Sequence, residues 1–254
     1  MTSAMESLQG RLALITGASR GIGKAIALEL GREGAALALI GRDENKLRET
    51  ASEAAHIGAD SSVFLVDVTK EDQVHALQRQ IQSRFGHLDI LINNAGINLR
   101  KSLVDFTLDE WRTVMDTNLT SAFLMCRSFI PMMRGHGYGR IINVASTMSH
   151  VSLPGRGAYS ASKAGLLGLT RALALELAAD GIMVVAISPG AFATELNKTL
   201  MNDLELNAQI LSKVPVRRWG DPQDIGKLAR FLCSDDASYI TGTDILIDGG
   251  WTAQ

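Results

Sequence analysis

Short apolar segments alternate with longer amphipathic ones along this chain, and that alternation limits its fold more than any other feature. Most of the short segments are continuously apolar, which is typical of strands that are buried on both faces of a parallel sheet. The segments between them, such as 22–33, 70–85 and 164–178, combine helical spacing with good helix formers. Repeated β-α-β units of this kind predict an α/β protein with a doubly wound parallel sheet and helices on both faces. The predicted strands are 12–15, 36–40, 62–66, 90–92, 140–144, 183–187 and 244–247.

The size and composition of the chain favour one domain over residues 1–254. The chain has 254 residues, 46% of them hydrophobic, and α/β folds of this length are commonly single domains. Its formal net charge of −2 gives no sign of a nucleic-acid or acidic-lipid partner. The polar segment 1–10 lacks the apolar core of a secretory signal, and no apolar run reaches the ~20 residues that span a bilayer. We therefore expect a cytoplasmic protein that neither enters a membrane nor binds nucleic acid.

The cysteines and histidines do not predict a metal site. The two cysteines, Cys126 and Cys233, are far apart in apolar surroundings, which is typical of buried free thiols in a reducing compartment. The five histidines are scattered along the chain without the spacing of metal ligands.

One segment, 192–215, departs from the alternation because it lies between two predicted strands and has helical, amphipathic spacing. It is interpreted either as a mobile lid over a substrate pocket or as an ordinary pair of amphipathic surface helices. Both interpretations stay open at this point. The apolar residues of this segment are Leu196, Leu200, Met201, Leu204, Leu206, Ile210 and Leu211.

A glycine-rich turn follows the first predicted strand and leads directly into a helix. Gly17, Gly21 and Gly23 have the spacing G-x-x-x-G-x-G, which differs from the more common G-x-G-x-x-G fingerprint of dinucleotide-binding proteins. Glycines let the backbone turn tightly and approach a pyrophosphate, and the helix N-terminus offers free N–H groups to the anion. The alternative is ordinary turn chemistry, but the position after the first strand favours a dinucleotide-binding Rossmann fold.

Two further motifs make the resemblance specific. An Asn-Asn-Ala-Gly block at 93–96 follows the fourth predicted strand, and Tyr159-x-x-x-Lys163 comes after Ser146. Together with the glycine spacing, these motifs resemble those of the short-chain dehydrogenase/reductase family, and the resemblance extends over residues 10–250. It implies an NAD(P)-dependent oxidoreductase that interconverts a secondary alcohol and a ketone by hydride transfer.

The resemblance also implies which residues perform the chemistry and which touch the cofactor. The implied catalytic residues are Asn118, Ser146, Tyr159 and Lys163. The implied cofactor-binding residues are Gly17, Ser19, Arg20, Gly21, Ile22, Gly23, Arg42, Asp67, Val68, Asn94, Ala95, Gly96, Tyr159, Lys163, Pro189, Gly190 and Thr194.

The residues after the second predicted strand bear on the choice between NAD and NADP. An acid ~20 residues beyond the glycines binds the ribose of NAD in this type of site, and that count ends near Asp43. The position of the acid relative to the end of the strand favours the opposite conclusion, because family members that prefer NAD usually carry their acid at the position of Gly41. Members that prefer NADP often have basic residues at the positions of Arg42 and Arg20, where a guanidinium can hold the 2′-phosphate. We therefore expect a preference for NADP(H), with NAD(H) as the alternative cofactor.

Tyr159 and Lys163 are four residues apart, so on a helix they share a face. An ammonium ~4 Å from the phenol, at an effective dielectric of ~20, favours the phenolate by up to ~4 kcal/mol. The pKa of the tyrosine would then fall by at most ~3 from its usual ~10, toward the range of a general acid/base. A surface tyrosine packed on a lysine stem is the alternative for this pair alone. The resemblance implies that Ser146 binds the substrate oxygen and that Asn118 holds a water that connects Lys163 to solvent.

The sequence restricts the substrate less than the reaction. One subgroup that fits is similar to gluconate 5-dehydrogenases, on the basis of the motifs at 218–222 and 248–251. In that case Arg156 or His150, which lie between Ser146 and Tyr159, could meet a substrate carboxylate; an exposed loop position is the alternative for each.

The second subgroup is the 3-oxoacyl-acyl-carrier-protein reductases, which need a basic patch to dock an acidic carrier. Arg134 could serve there, but Asp180 stands where those enzymes commonly carry a basic residue. This departure favours a small polar substrate such as a sugar acid or polyol. A function of another class, an NADP(H)-binding sensor without catalysis, is disfavoured by the complete set of predicted catalytic residues.

The resemblance further implies a homotetramer. Leu166, Leu169, Leu173 and Leu177 form an apolar helix face that suits either such an interface or the core of the subunit.

Overall fold

The computed structural model describes residues 8–253, apart from the side chain of Leu196. The first seven residues of the polar segment 1–10 and that one side chain of the expected lid therefore lie outside the described residues. The described part contains a seven-stranded sheet in the order β3-β2-β1-β4-β5-β6-β7, and every pair of neighbouring strands is parallel. The strands are β1 Leu12–Thr16, β2 Ala36–Gly41, β3 Ser61–Leu65, β4 Ile90–Asn93, β5 Gly139–Val144, β6 Ile182–Pro189 and β7 Asp244–Ile247.

Helices cover both faces of this sheet, which confirms the predicted doubly wound fold. One core cluster packs α1, α2 and α9 against the sheet, and the other packs α3, α5 and α6 against the opposite face. The helices are α1 Gly21–Arg32, α2 Glu44–His56, α3 Glu71–Phe85, α4 Leu108–Met115, α5 Ser121–Met133, α6 Gly157–Leu177, α7 Lys198–Asn202, α8 Leu204–Ser212 and α9 Pro222–Cys233.

The central strands are fully buried, as the continuous apolar runs predicted. All residues of β1, β4 and β5 are buried, whereas the edge strand β3 buries only Phe64. The strand order reverses between β1 and β4, because β1 lies between β2 and β4. In an open parallel sheet, ligands bind at such a reversal, outside the carboxyl ends of the strands.

Between α4 and α5 the chain forms one turn of π-helix, Asp116–Thr120. The helix α4 begins with a capping box, in which the Thr107 side chain and the Glu110 side chain each bond the other's backbone N–H. π-turns inside α-helices often occur at functional sites because they redirect one side chain. Here the turn contains the buried Asn118.

The segment 192–215 is helical, as predicted, and contains α7 and α8. Neither helix has a buried residue, and Leu204 is 85% exposed. The segment is held at its two ends, since Phe192 and Val214 are buried. The role of this segment as a lid stays a prediction.

The apolar face of α6 belongs mainly to the subunit core. Leu166, Leu173 and Leu177 are buried and pack with the core clusters, and Leu169 is partly buried against them. This face therefore gives no support to a tetramer interface. No helix among residues 8–253 is long and apolar enough to cross a membrane.

Candidate active site

The glycine-rich turn is closed so tightly that two of its glycines admit no side chain. A Cβ atom on Gly23 would lie 2.3 Å from the carbonyl oxygen of Gly17 and 2.4 Å from Nδ2 of Asn94. A Cβ atom on Gly17, which has a φ of +65°, would lie 2.9 Å from the same Nδ2. The turn brings the backbone N–H groups at the start of α1 to the carboxyl edge of the sheet, where they suit a pyrophosphate.

Hydrogen bonds fix the Asn-Asn-Ala-Gly loop to this turn. The Nδ2 of Asn94 donates to the carbonyl oxygens of Thr16, at 2.9 Å, and Gly17, at 3.2 Å. In return, the Oγ1 of Thr16 accepts from the backbone N–H groups of Asn94 and Ala95, at 2.9 Å and 3.0 Å. The ends of β1 and β4 are thus held together at the point where the strand order reverses.

A single cleft at this edge brings together nearly all the predicted site residues. Two of them do not line it: Gly23 lies beneath the turn, and Asn118 lies behind the loop that follows β4. The predicted residues that line the cleft are Gly17, Ser19, Arg20, Gly21, Ile22, Arg42, Asp67, Val68, Asn94, Ala95, Gly96, Ser146, Tyr159, Lys163, Pro189, Gly190 and Thr194.

The sequence analysis missed several other lining residues. Most of them are adjacent in sequence to predicted positions. That adjacency, at the ends of the same strands, is the signal that could have identified them. They are Gly41, Val66, Thr69, Ile97, Thr117, Val144, Ala145, Phe192, Glu195 and Asn197.

Ser146, Tyr159 and Lys163 meet at the inner end of the cleft. Ser146 follows β5, and its Oγ accepts a 3.1 Å hydrogen bond from the backbone N–H of Met148. That bond leaves the proton of the Ser146 hydroxyl free to donate to a substrate oxygen. Tyr159 and Lys163 lie on the first turns of α6, and the Nζ of Lys163 is 5.9 Å from the centre of the tyrosine ring.

The pKa of Tyr159 corrects one expectation of the sequence analysis. Burial raises this pKa above its usual value, and the Ser146 hydroxyl and the charges of Arg156 and Arg100 counteract part of that rise. The expectation that the pKa of Tyr159 lies below its usual value is wrong for this structure. The lysine ammonium instead donates a 2.6 Å hydrogen bond to the carbonyl oxygen of Val144.

Lys163 is itself affected by its surroundings. It is 4% exposed, and burial lowers the pKa of its ammonium to about 8. The side chain is therefore still mainly protonated at neutral pH, and it loses its proton just above. As a cation it has donors left for the hydroxyl groups of a ribose, since an ammonium carries three N–H groups.

Asn118 connects the loop after β4 with α6. Its Oδ1 accepts from the backbone N–H of Ile97 at 2.8 Å, and its Nδ2 donates to the carbonyl oxygen of Ile97 at 2.9 Å. The same Nδ2 also donates to the Oγ of Ser162 at 3.0 Å. A Cβ atom on Gly96 would lie 3.3 Å from Oδ1 of Asn118 and 3.4 Å from Nζ of Lys163, so these groups are adjacent. The amide thus positions the cleft wall beside Lys163.

At the outer end of the cleft, the residues after β2 have distinct roles. The structure extends β2 through Gly41, one residue beyond the predicted strand. Asp43 caps the N-terminus of α2, where its Oδ1 accepts from the backbone N–H of Lys46 at 3.2 Å. It does not line the cleft, whereas Arg42 does. Within residues 8–253, Arg42 has no ion pair.

Two further charged contacts lie near Arg42. Arg20 forms an ion pair with Glu195, a carboxylate that Lys46 approaches at 3.6 Å. Burial raises the pKa of Asp67, but hydrogen bonds from Thr69 and the charge of Arg42 outweigh it, so the pKa is lowered overall. The outer cleft therefore carries two guanidinium groups and the ionised carboxylates of Asp67 and Glu195. Of the two guanidinium groups, only that of Arg42 has no ion pair among the described residues.

The structure gives a neighbour to each of the two candidate residues, His150 and Arg156, in the loop between Ser146 and Tyr159. The ring of His150 bonds the carboxylate of Asp244 on β7, which also accepts a 2.8 Å hydrogen bond from the Oγ of Ser188. His150 is thus occupied by a structural partner. Arg156 acts on Tyr159 together with Arg100, which the sequence analysis missed although it follows the Asn-Asn-Ala-Gly loop by four residues.

The described residues contain no group of three or more side chains that could hold a metal ion. The chemical groups of the cleft are instead a glycine cradle, a hydroxyl, a phenol and an ammonium. These suit a dinucleotide and a proton transfer.

Comparisons with known proteins agree with this arrangement. A family model described as "Enoyl-(Acyl carrier protein) reductase" matches residues 17–252. The 3-oxoacyl-acyl-carrier-protein reductase FabG of Haemophilus influenzae is 41% identical over 243 residues, which are 96% of this chain and 98% of that protein. FabG of Staphylococcus aureus Mu50 is 40% identical over 239 residues, 94% of this chain and 96% of that protein.

Solved structures give the same class. A gluconate 5-dehydrogenase from Burkholderia cenocepacia, in complex with NADP and tartrate, has a TM-score of 0.93 at 34% identity and covers 98% of both chains. A protein from Agrobacterium tumefaciens, provisionally described as a gluconate dehydrogenase, has a TM-score of 0.96 at 36% identity and covers 99% of this chain and 100% of its own. The chain belongs to the short-chain dehydrogenase/reductase family. It is an NAD(P)-dependent oxidoreductase that acts on CH–OH donors.

Proposed function

We propose that this enzyme prefers NADP(H) and interconverts a small polar secondary alcohol, such as a sugar acid or polyol, with its ketone. The observation that carries the proposal is the meeting of Ser146, Tyr159 and Lys163 at the inner end of a cleft. At the outer end of this cleft lies the Arg42 guanidinium, which forms no ion pair within residues 8–253. Bound in this cleft, the nicotinamide supplies or accepts the hydride.

The glycine cradle fits the diphosphate of the cofactor, because a Cβ on Gly23 or Gly17 would fill the space that the backbone needs. The rest of the cofactor would follow the cleft. Asp67 and Val68 would contact the adenine, the loop 94–96 the adenosine ribose, and Lys163 the ribose nearest the reacting end. Pro189, Gly190 and Thr194 would hold the carboxamide.

Three observations support the preference for NADP(H). Asp43, the acid that simple counting selects, is used as a helix cap outside the cleft. Gly41 carries no acid that would repel a 2′-phosphate. Arg42 lines the cleft without an ion pair in the described part of the chain, and a guanidinium can hold a phosphate with two hydrogen bonds. Arg20 could join it by leaving Glu195.

The protein residues would move the proton. In the reducing direction, the hydroxyl of Ser146 donates a hydrogen bond to the ketone oxygen, and Tyr159 protonates the oxygen as negative charge develops on it. Burial raises the pKa of Tyr159, so the phenol is protonated at neutral pH, as the donor in the reducing direction must be. The Ser146 hydroxyl and the charges of Arg156 and Arg100 counteract part of the rise, toward the range of a general acid/base. Lys163 and Asn118 hold this end of the cleft in place, and a water held by Asn118 would connect Lys163 to solvent, as the resemblance implies. In oxidation each step is reversed.

A small substrate is favoured over a carrier-bound one because of the Arg134 side chain. Its Nε donates to the Oδ2 of Asp180 at 2.8 Å, so the basic residue that would dock an acidic carrier is already neutralised by a neighbour. The opposite assignment, a 3-oxoacyl-acyl-carrier-protein reductase, is favoured by the relatives with that name at 40% and 41% identity. It is the second proposal for this site.

A steady-state screen separates these proposals. The wild-type enzyme is tested with keto sugar acids, neutral ketoses and a 3-oxoacyl thioester, each with NADPH and with NADH, and the reduced cofactor is followed by its absorbance. We expect the highest kcat/KM with NADPH and a keto sugar acid or ketose. A dominant rate with the thioester selects the carrier-dependent reductase. Cofactor binding without turnover of any ketone selects the sensor.

Cofactor choice has its own matched pair of variants. Arg42→Gln should raise the KM for NADPH by ~10-fold or more and leave the KM for NADH nearly unchanged, because a charge-assisted contact to the 2′-phosphate is lost. Arg48→Gln removes an exposed guanidinium that pairs with Glu44 on the next helix, and it should change neither value. Equal changes for both cofactors in Arg42→Gln, or a lower KM for NADH in the wild type, refute the preference.

By resemblance, the assembly is a homotetramer. Among the described residues β7 is an edge strand of the sheet, and Leu246 on it is 42% exposed, so this edge is a surface that a partner subunit could cover. Sedimentation equilibrium should give four times the mass of the chain, and a monomer in that experiment refutes the assembly.

A further inference from the structure

We infer that Arg156 and Arg100 form a binding site for an anionic group, a carboxylate, on the substrate itself. This inference rests on the proposed function, because it assigns the substrate class that the same cleft takes. It also assigns a role to Arg156 that the sequence left open and adds a second residue, Arg100.

The two arginines come from loops that are joined directly. The backbone N–H of Lys101 donates a 3.1 Å hydrogen bond to the carbonyl oxygen of Gly155, so each arginine is next to one end of this bond. The charge of Lys101 itself is neutralised, since its Nζ is 2.9 Å from the carboxylate of Glu110. Arg156, which is half-buried, and Arg100, which is exposed, are therefore the cations that form no ion pair with a described residue where the two loops meet.

One buried nitrogen of the Arg156 guanidinium has no hydrogen-bond partner among the described residues. Its Nη1 is buried and makes no hydrogen bond to any described residue, and no ion pair of either arginine occurs within residues 8–253. Burial and the nearby charge of Arg100 lower the pKa of Arg156 to about 10. A buried guanidinium nitrogen without a hydrogen-bond partner costs free energy, and a bound anion would offset part of that cost.

The position of the pair relative to Tyr159 fixes where the anion would lie. Arg156 precedes the tyrosine by three residues at the start of α6, so their side chains are within one helical turn. The charges of both arginines act on the tyrosine hydroxyl. The Nη2 of Arg100 also donates to the Oδ1 of Asn197, at 3.4 Å, and Asn197 lines the cleft. Neither arginine lines the cleft itself, so the anionic group would lie beside the cleft, near Tyr159 and Asn197.

A second polar atom without a described hydrogen-bond partner, on the loop of Arg100, indicates what else the ligand carries. The Oδ1 of Asn98 is buried and accepts no hydrogen bond from the described residues. An acceptor two residues before Arg100 suits a ligand that carries hydroxyl groups beside its carboxylate. The combination describes a hydroxy acid rather than a neutral ketose or the acyl chain of a thioester, neither of which offers a negative charge there.

The test is direct binding, which does not depend on turnover. The wild-type enzyme is first saturated with NADP⁺, so that the cofactor site cannot take up the added anion. It is then titrated by calorimetry with L-tartrate, a hydroxy dicarboxylate, and separately with L-threitol, the uncharged tetritol with the same carbon skeleton. The variants are Arg156→Gln, Arg100→Gln and Arg156→Lys. The matched control is Arg171→Gln, which removes an exposed arginine from the same helix α6.

We expect tartrate to bind the wild type and Arg171→Gln with the same Kd and to bind Arg156→Gln and Arg100→Gln at least ~10-fold more weakly, as loss of a charge-assisted contact requires. Arg156→Lys should recover part of the affinity, and threitol should bind all forms weakly. If Arg156→Gln does not fold, as judged by circular dichroism and NADP⁺ binding, Arg100→Gln carries the test.

The inference is overturned if the wild type does not bind tartrate, or if both glutamine variants bind it as the wild type does. Failure of the proposed function is a separate result. In that case no ketone is reduced with either cofactor, while tartrate binding still depends on the two arginines.

Discussion

The glycine turn can be tested by one added methyl group, in Gly23→Ala. Gly23 lies in the first turn of α1, so helix propensity alone predicts that alanine stabilises the protein by up to ~1 kcal/mol. The structure predicts instead that alanine destabilises the protein. The new Cβ would lie 2.3 Å from the Gly17 oxygen and 2.4 Å from Nδ2 of Asn94.

The magnitude follows from the distances. To restore a separation of about 3 Å, a normal closest approach, the oxygen or the helix must move by about 0.7 Å, and the amide by a similar distance. The amide of Asn94 would then lose its bonds to the oxygens of Thr16 and Gly17, which together contribute about 1–3 kcal/mol. The distorted turn would also present its N–H groups poorly to the diphosphate.

Two measurements check this prediction. The free energy of unfolding is obtained by urea titration, and the Kd of NADPH by fluorescence titration. We expect Gly23→Ala to lose about 1–3 kcal/mol of stability and at least ~10-fold in cofactor affinity.

The matched control is Gly168→Ala, also in a helix, where an added Cβ meets nothing within 4 Å. It should be neutral or stabilising, with unchanged cofactor affinity. If the two variants behave alike, the tight closure of the turn is not what the protein requires.

Two further predictions concern Lys163 and Asn118. Because the folded-state pKa of Lys163 is lowered to about 8, the unfolded chain binds more protons between that pH and about 10.5. The free energy of unfolding of the wild type, minus that of Lys163→Met, should therefore increase as the pH rises through this window, by at most about 3 kcal/mol. A difference that decreases over the same window would contradict the buried ammonium. Asn118→Ala removes three hydrogen bonds to Ile97 and Ser162, so it should lose about 1–3 kcal/mol or more of stability and lower kcat, and unchanged thermal unfolding would contradict the role of the amide.

The features that the sequence predicts well are local or periodic. The fold class follows from the alternation of apolar runs, since buried parallel strands such as β5 must be continuously apolar. The glycine turn can also be predicted, because a chain that passes from a strand to a helix within a few residues requires glycines in the turn. Strand ends differ by one or two residues, as in β6, which runs from Ile182 to Pro189.

What the sequence did not predict depends on contacts between distant segments. The pKa of Tyr159 is raised because of burial, and its cationic neighbours include Arg100, 59 positions before it in the chain. The partner of His150 is Asp244, on a strand 94 residues away. Spacing within α6 places Lys163 near the tyrosine, but only the packed structure shows that the ammonium bonds the carbonyl of Val144.

The central claim is that Tyr159 transfers the proton in an NADP(H)-dependent reaction. Its most direct test compares Tyr159→Phe with Tyr239→Phe, which removes the hydroxyl of a fully exposed tyrosine, in NADPH binding and in turnover of the best ketone from the screen. We predict that both variants bind NADPH like the wild type, that Tyr239→Phe keeps full turnover, and that Tyr159→Phe loses at least ~100-fold in kcat. Near-normal turnover by Tyr159→Phe would contradict the assignment of the proton to this residue.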